Sequence, residues 1–385
     1  MTTPNAPLRP LLVRAVAQAL RAIFEENRYA DKVIEQALKQ NPKAGSHDRA
    51  FIAETTYEVV RYYRLYTHLL GTAPRSEAKW WQLVGVHFLL KGTSLPDWLE
   101  FRPLKSLRLP LQYAGMPLAL RESIPDWLDA LGSHELAERW PATLHQLNQP
   151  ARVVLRTNRL RTDRAALQQA LQHEGVATQA LGPHDALVLS RRQNVFRTQA
   201  FRQGWFEVQD FSSQSVAPLL APQPGMRVVD ACAGGGGKTL HLAALLQNRG
   251  NIIALDTFAW KLDELRTRAR RAGATNIETR PIESRKTVKR LYGSADRLLL
   301  DVPCSGLGIL RRNPDAKWKL APEQIEQLRA TQQDILQGYS PITKPGGRMV
   351  YATCSILPSE NEHQVQAFLA SPAGREFRLL EQRSI

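Results

Sequence analysis

The chain has 385 residues, of which 51 are Lys or Arg, 36 are Asp or Glu and only three are Cys, for a formal net charge of +15. That length exceeds one ordinary core and asks for two or three domains, while three cysteines with no C-x-x-C exclude a disulfide-stapled fold and a structural zinc site, so no metal is expected. The positive excess calls for an anionic partner, nucleic acid ahead of a membrane surface.

The amino-terminal stretch M-T-T-P-N-A-P-L-R-P lacks the apolar core of a signal peptide. No run of about 18 apolar residues could span a bilayer, so a cytoplasmic protein that touches no membrane is expected. From about 11 to 145 the pattern is helical: Leu12, Ala15, Leu20 and Ile23 share one stripe, and Phe51, Ile52, Tyr57, Val60 and Leu65 repeat the spacing. S-H-D-R-A-F-I-A-E opens the later stretch with Ser46 as its cap. Tyr62, Tyr63 and Tyr66 could stack on bases, but at helical spacing they are read as core. The expectation for 1–145 is an all-helical domain.

Between 146 and 205 the texture changes to short strands around one helix: R-V-V-L-R-T, T-D-R-A-A-L-Q-Q-A-L, A-L-V-L-S. This small α/β region is dense in arginine (Arg152, Arg156, Arg159, Arg161, Arg164, Arg191, Arg192, Arg197, Arg202), as compatible with RNA contact as with a solvated face. From 206 to 385 strands alternate with helices: M-R-V-V-D-A-C-A, N-I-I-A-L-D, N-I-E-T-R, D-R-L-L-L-D-V-P and G-G-R-M-V-Y-A-T-C-S. That alternation predicts an α/β, doubly wound, mostly parallel sheet whose ligands sit beyond the carboxyl ends of the strands. The helix over R-T-R-A-R-R (266–271) buries Leu262, Leu265, Ala269 and Ala272, so its arginines are read as a solvated face.

V-V-D-A-C-A-G-G-G-G-K-T follows a strand and opens a helix, so side-chain-free backbone N–H groups can approach a ligand at a positive helix terminus. Ala233 stands where a Walker loop needs its first glycine, which disfavours a nucleoside triphosphate. Asp256 ends the next strand, where a carboxylate can accept both hydroxyls of a ribose, as nicotinamide and S-adenosylmethionine enzymes require.

The chemistry is carried by D-V-P-C-S-G and Y-A-T-C-S, two Cys-Ser steps at the ends of two apolar strands. Methyltransferases acting on the amino groups of bases place a stacking aromatic where Cys304 stands. A thiol cannot stack, but a thiolate can add to C6 of cytosine and make C5 nucleophilic toward a methyl sulfonium. One thiol suffices for that cycle, and spacing alone leaves open whether Cys304 or Cys354 is the nucleophile.

D-V-P-C-S-G-L-G-I-L-R-R-N-P-D-A-K-W, Y-A-T-C-S-I-L-P-S-E-N-E, C-A-G-G-G-G-K-T and F-E-V-Q-D-F-S-S-Q resemble the signatures of the RsmB-like (Sun/Fmu-type) RNA cytosine-5 methyltransferases, over about 146 to 370. The amino-terminal helices resemble the NusB-type RNA-binding domain of some members. The resemblance implies a Rossmann-like S-adenosylmethionine-dependent domain over 206–385, preceded by an RNA-recognition-like region over 146–205. It implies Cys354 as nucleophile, Cys304 as an aid to product release, Asp301 on the cytosine edge, and Lys238 bridging to the base or to Asp301. Cofactor contacts are implied for Asp230, Cys232, Ala233, Gly234, Gly235, Gly236, Gly237, Lys238, Asp256, Asp301 and Pro303. RNA, ribosomal by expectation, would be held by Arg311, Arg312, Lys317 and Trp318, with Arg156 and Arg159 from the small region; a monomer is expected.

Two departures stand out. Where many members carry an Asp for the adenine amino group, E-T-R-P-I-E-S-R offers only Glu283. The chain ends at Ile385, where the family adds a closing strand pair, so either the chain is trimmed or its sheet edge is finished differently. The rival readings are a silent RNA-binding assembly factor and the same chemistry on tRNA or DNA.

Overall fold

The computed structural model describes residues 8–107, 115–182 and 185–384. Ile385 and the first seven residues of the amino-terminal stretch lie outside the described residues. The chain forms two compact units, Met1–Pro150 with Gly306–Ile325 and Ser355–Leu357, and Ala151–Ser305 with Glu326–Cys354 and Pro358–Ile385.

The first unit is helical. Helix Pro10–Phe24 buries Val13, Val16, Leu20 and Ile23 at helical spacing. Each such side chain contributes about 1.5–3 kcal/mol relative to leaving it in water. Helices Ala30–Gln40, Ser46–Arg61, Tyr63–Leu70 and Glu77–Leu90 complete that core, with Trp80 and Trp81 filling its middle. Gly45 occupies the cap position and Ser46 is the first helical residue, so the helix begins one residue earlier than expected. The tyrosines are core, as the spacing indicates: Tyr63 stacks on Phe24, and buried Tyr66 hydrogen-bonds His87 at 3.1 Å. Burial pushes His87 down to about 3, so the ring is neutral. A second core joins Ile124, Leu128, Trp140 and Leu144 to Leu307, Leu310, Ile325 and Leu357.

The second unit holds two sheets. Strands β1 (Val154–Thr157), β2 (Thr178–Leu181), β3 (Ala186–Leu189) and β4 (Phe206–Val208) form an antiparallel sheet in the order β2-β3-β1-β4. Helix Arg164–His173 covers it, capped by Asp163, whose carboxylate accepts the Ala166 N–H. Strands β5 (Arg227–Asp230), β6 (Asn251–Asp256), β7 (Ile277–Pro281), β8 (Ala295–Asp301) and β9 (Thr343–Ala352) form a parallel sheet in the order β7-β6-β5-β8-β9. This is a doubly wound α/β sheet, Rossmann-like, with its switch point between β5 and β8. Asp230 and Asp301 end those two strands. β9 is the last strand among the described residues, and no described helix is long and apolar enough to cross a membrane.

Candidate active site

Leu298, Leu299 and Leu300 of β8 are wholly buried, and β9 pairs with the strand so that Asp301 lies opposite Ala352. The chain leaves both strands at the same level, and the two thiols that follow converge. Cys304 Sγ lies 3.2 Å from Cys354 Sγ, and the Cys354 backbone N–H donates to Cys304 Sγ at 3.2 Å. Cys304 is half-buried and Cys354 is exposed. The Cys304 thiol, donating to Cys354, holds Cys354 below the ordinary thiol range; burial and Asp301 oppose this, and the Lys238 ammonium assists it. A thiol donating to its neighbour favours the neighbour's anion, which is the nucleophilic form.

Lys238 reaches Asp301 at 2.6 Å, across from the glycine loop to the end of β8. Both side chains keep some solvent, so the pair fixes position more than it adds stability. Asp230 is buried and accepts the Thr239 hydroxyl at 2.7 Å. Burial raises its carboxyl to about 7, against the pull of Thr239. Burial and the surrounding carboxylates push the Cys232 thiol up, which makes it inert.

The glycine loop leaves β5 through Gly234 (φ 54°) and Gly236 (φ 83°). At Gly236 a Cβ would stand 2.0 Å from Leu265 Cδ1, whereas at Gly234 it would meet nothing within 4 Å. Asp256 accepts the Gly234 N–H at 2.9 Å and the Phe258 N–H at 2.8 Å, one on each oxygen. A carboxylate accepts about four hydrogen bonds, so capacity remains for a diol. The open space at Gly234 beside a partly engaged carboxylate fits the ribose and amino-acid ends of S-adenosylmethionine.

Residues outside the expected set hold this loop. Arg268 donates to Gly235 O at 2.6 Å and pairs with buried Glu207 at 2.9 Å, and Arg271 takes the other oxygen of Glu207 at 2.5 Å. The reading of 266–271 as a purely solvated face is therefore corrected for these two. Arg156 is also corrected: it is 2 % exposed and spends Nη1 on Gly237 O at 2.6 Å and on Gln209, so it cannot reach RNA. Sequence spacing offered no signal for these links, because each partner is remote along the chain.

The segment after Cys304 requires a larger correction. Lys317 is 1 % exposed, and its Nζ donates to Arg61 O at 2.8 Å and Asn148 Oδ1 at 3.3 Å, burial pushing the group well below the ordinary lysine range. The Trp318 indole N–H donates to Val60 O at 2.8 Å, and its ring meets Phe24 and Tyr63. Arg311 donates to Gln149 O and Pro150 O. Lys317 and Trp318 are internal ties of the helical unit and present nothing to a phosphate. Arg312 is half-buried, and exposed Arg159 stands 3.7 Å from Asp185. Glu283 is exposed, just past β7, and Pro303 is exposed beside Cys304.

A five-strand parallel sheet with a glycine loop, a carboxylate with acceptor capacity to spare at the end of β6 and two thiols past adjacent strands defines a Rossmann-like, S-adenosylmethionine-dependent methyltransferase. A family model described as 16S rRNA methyltransferase RsmB/F matches residues 217–383, and one described as an RsmF/B-like ferredoxin-like domain matches 124–196. A "probable ribosomal RNA small subunit methyltransferase B" of Synechocystis sp. is 33% identical over 91% of this chain and 87% of its own length. Its counterpart in Bacillus subtilis is 34% identical over 66% of this chain and 57% of its own length, so against that relative the matched region spans little more than half. The crystal structure of a methyltransferase homolog from Pyrococcus horikoshii is 28% identical with a TM-score of 0.59, covering 67% of this chain and 83% of that one. The chain belongs to the RsmB/F methyltransferase family.

Proposed function

We propose that this protein methylates C5 of a cytidine in ribosomal RNA through a transient bond between Cys354 and C6 of the base. The observation that carries the reading is the contact of two thiols beside the Lys238–Asp301 pair. Asp230, Asp256, Lys238, Pro303 and the loop from Cys232 to Gly237 would hold S-adenosylmethionine, which supplies an electrophilic methyl group. The target base is turned out of its stack at a cost of a few kcal/mol. Asp301 takes the cytosine edge, with Lys238 fixing its carboxylate. Cys354 thiolate adds to C6, and the C5=C6 electron pair moves to C5, which uses it to take the methyl group from the sulfonium sulfur, the S–CH3 pair staying on sulfur as a neutral thioether leaves. A base then takes the C5 proton, the C5–H bond pair re-forms C5=C6, and the C6–S pair leaves with Cys354 as thiolate, with Cys304 assisting release.

The names of the curated relatives support ribosomal RNA as the polymer, and the basic total suits it. Each variant is incubated with substrate RNA and S-adenosylmethionine and run on a denaturing gel. Cys304→Ala should trap a covalent RNA adduct and Cys354→Ala should trap none. An adduct with Cys354→Ala alone would reverse the two roles.

A further inference from the structure

Glu360 follows β9 in a short turn, Pro358–Glu360, and is wholly buried. A buried carboxylate is costly unless several donors meet it. Here they come from the chain around the thiols. Oε1 accepts the Ser305 N–H at 2.8 Å and a Gln332 side-chain N–H at 3.0 Å, and Oε2 accepts the Ser305 hydroxyl. Gln332, also wholly buried, gives a second bond to Pro303 O at 3.0 Å. The residues on both sides of Cys304 are thus held through one carboxylate. The next residue does the same for the other thiol, because Asn361 Oδ1 accepts the Thr353 hydroxyl directly before Cys354. The Tyr351 hydroxyl, on β9, donates to Glu360 O at 2.6 Å. Gln364 donates to Ser359 O at 2.9 Å and fixes the turn itself.

We infer that Glu360 and Asn361 are positioning residues that hold the two thiols in register, Glu360 through the Pro303-Cys304-Ser305 turn and Asn361 through Thr353. Electrostatic activation is not their contribution, since the Glu360 charge pushes Cys354 up, against ionisation. Placement is what a carboxylate at this point supplies. Removing it frees the Ser305 donors and lets the Cys304 turn drift, and a misplacement of about 1 Å can cost on the order of a hundredfold in rate.

The consequence for turnover rests on the roles proposed above for the two thiols; the consequence for geometry does not, and two assays separate them. On the denaturing gel, Glu360→Ala should accumulate the same RNA adduct as Cys304→Ala, with turnover down about tenfold to a hundredfold. Glu360→Gln, which keeps most of the hydrogen bonds, should restore turnover and clear the adduct. Without RNA, hydrogen peroxide joins the thiols as two S–H groups and one H2O2 give one disulfide and two waters. The linking rate, read by mass spectrometry, should fall about tenfold or more in Glu360→Ala and in Asn361→Ala. If Glu360→Ala does not fold, Asn361→Ala and Gln332→Ala carry both assays. An unchanged linking rate overturns the inference, as does an adduct in Cys304→Ala but none in Glu360→Ala. No adduct in Cys304→Ala together with slowed linking overturns the assigned thiol roles and upholds the positioning.

Discussion

The stretches 301–305 and 311–319 are close in sequence and both are singled out there as site candidates, yet the fold uses them in opposite ways. At the first, Asp301 and Cys304 stand at a strand end in contact with their partners Lys238 and Cys354. At the second, Lys317, Trp318 and Arg311 give their donors to backbone carbonyls of the same helical unit. The difference teaches that a cation or aromatic ring marks a binding surface only when its donors are not already spent inside the protein. Charge composition reports the total and is silent on where it is consumed.

The comparison can be broken at either side, and the largest effect lies in the thiols. Cys354→Ala should lower methyl transfer by about 10⁴-fold or more, as loss of a nucleophile does elsewhere, measured by transfer of a labelled methyl group; near-normal transfer would remove the strand end from the chemistry. Next is Lys317→Met, which leaves Arg61 O and Asn148 Oδ1 without a donor. It should cost about 1–3 kcal/mol of stability, seen as a lower Tm, while the salt dependence of RNA binding stays as in the parent. A shallower salt slope with unchanged Tm would return Lys317 to the RNA surface.

Smaller effects sharpen the same contrast. Arg268→Ala frees the Gly235 carbonyl and should raise the KM for S-adenosylmethionine about tenfold, equivalent to ~1.4 kcal/mol, with kcat little changed. Cys304→Ala removes the thiol that lowers Cys354. Adduct formation needs the thiolate and rises with pH through the Cys354 value, so that limb should move to higher pH in the variant. Arg159→Ala should leave stability intact and lower the slope of log affinity against log salt by about one. No change there would remove Arg159 from the RNA-facing set.

Much of the second unit was legible because its signals are local. Apolar runs ending in Asp256, Asp301 and the two Cys-Ser steps placed the ligand end of each strand, and the glycines placed the loop. What escaped was long-range. Arg156, Arg268 and Glu207 support the glycine loop from elements remote along the chain. Glu360 and Asn361 were visible within Y-A-T-C-S-I-L-P-S-E-N-E, but nothing in their spacing shows a carboxylate folded back onto Ser305. Helix Ala30–Gln40 falls inside the all-helical expectation for 1–145 without being singled out, although Ala30, Val33, Ile34 and Ala37 mark its buried side at helical spacing.

The most direct measurement is the identity of the atom bonded to the base. RNA carrying 5-fluorocytidine at the target has no C5 proton to lose, so the unaltered enzyme should stay attached after methyl transfer. Digestion and mass spectrometry should then find the nucleotide on the peptide containing Cys354. A nucleotide on the Cys304 peptide, or no attached peptide beside a methylated product, would contradict the account.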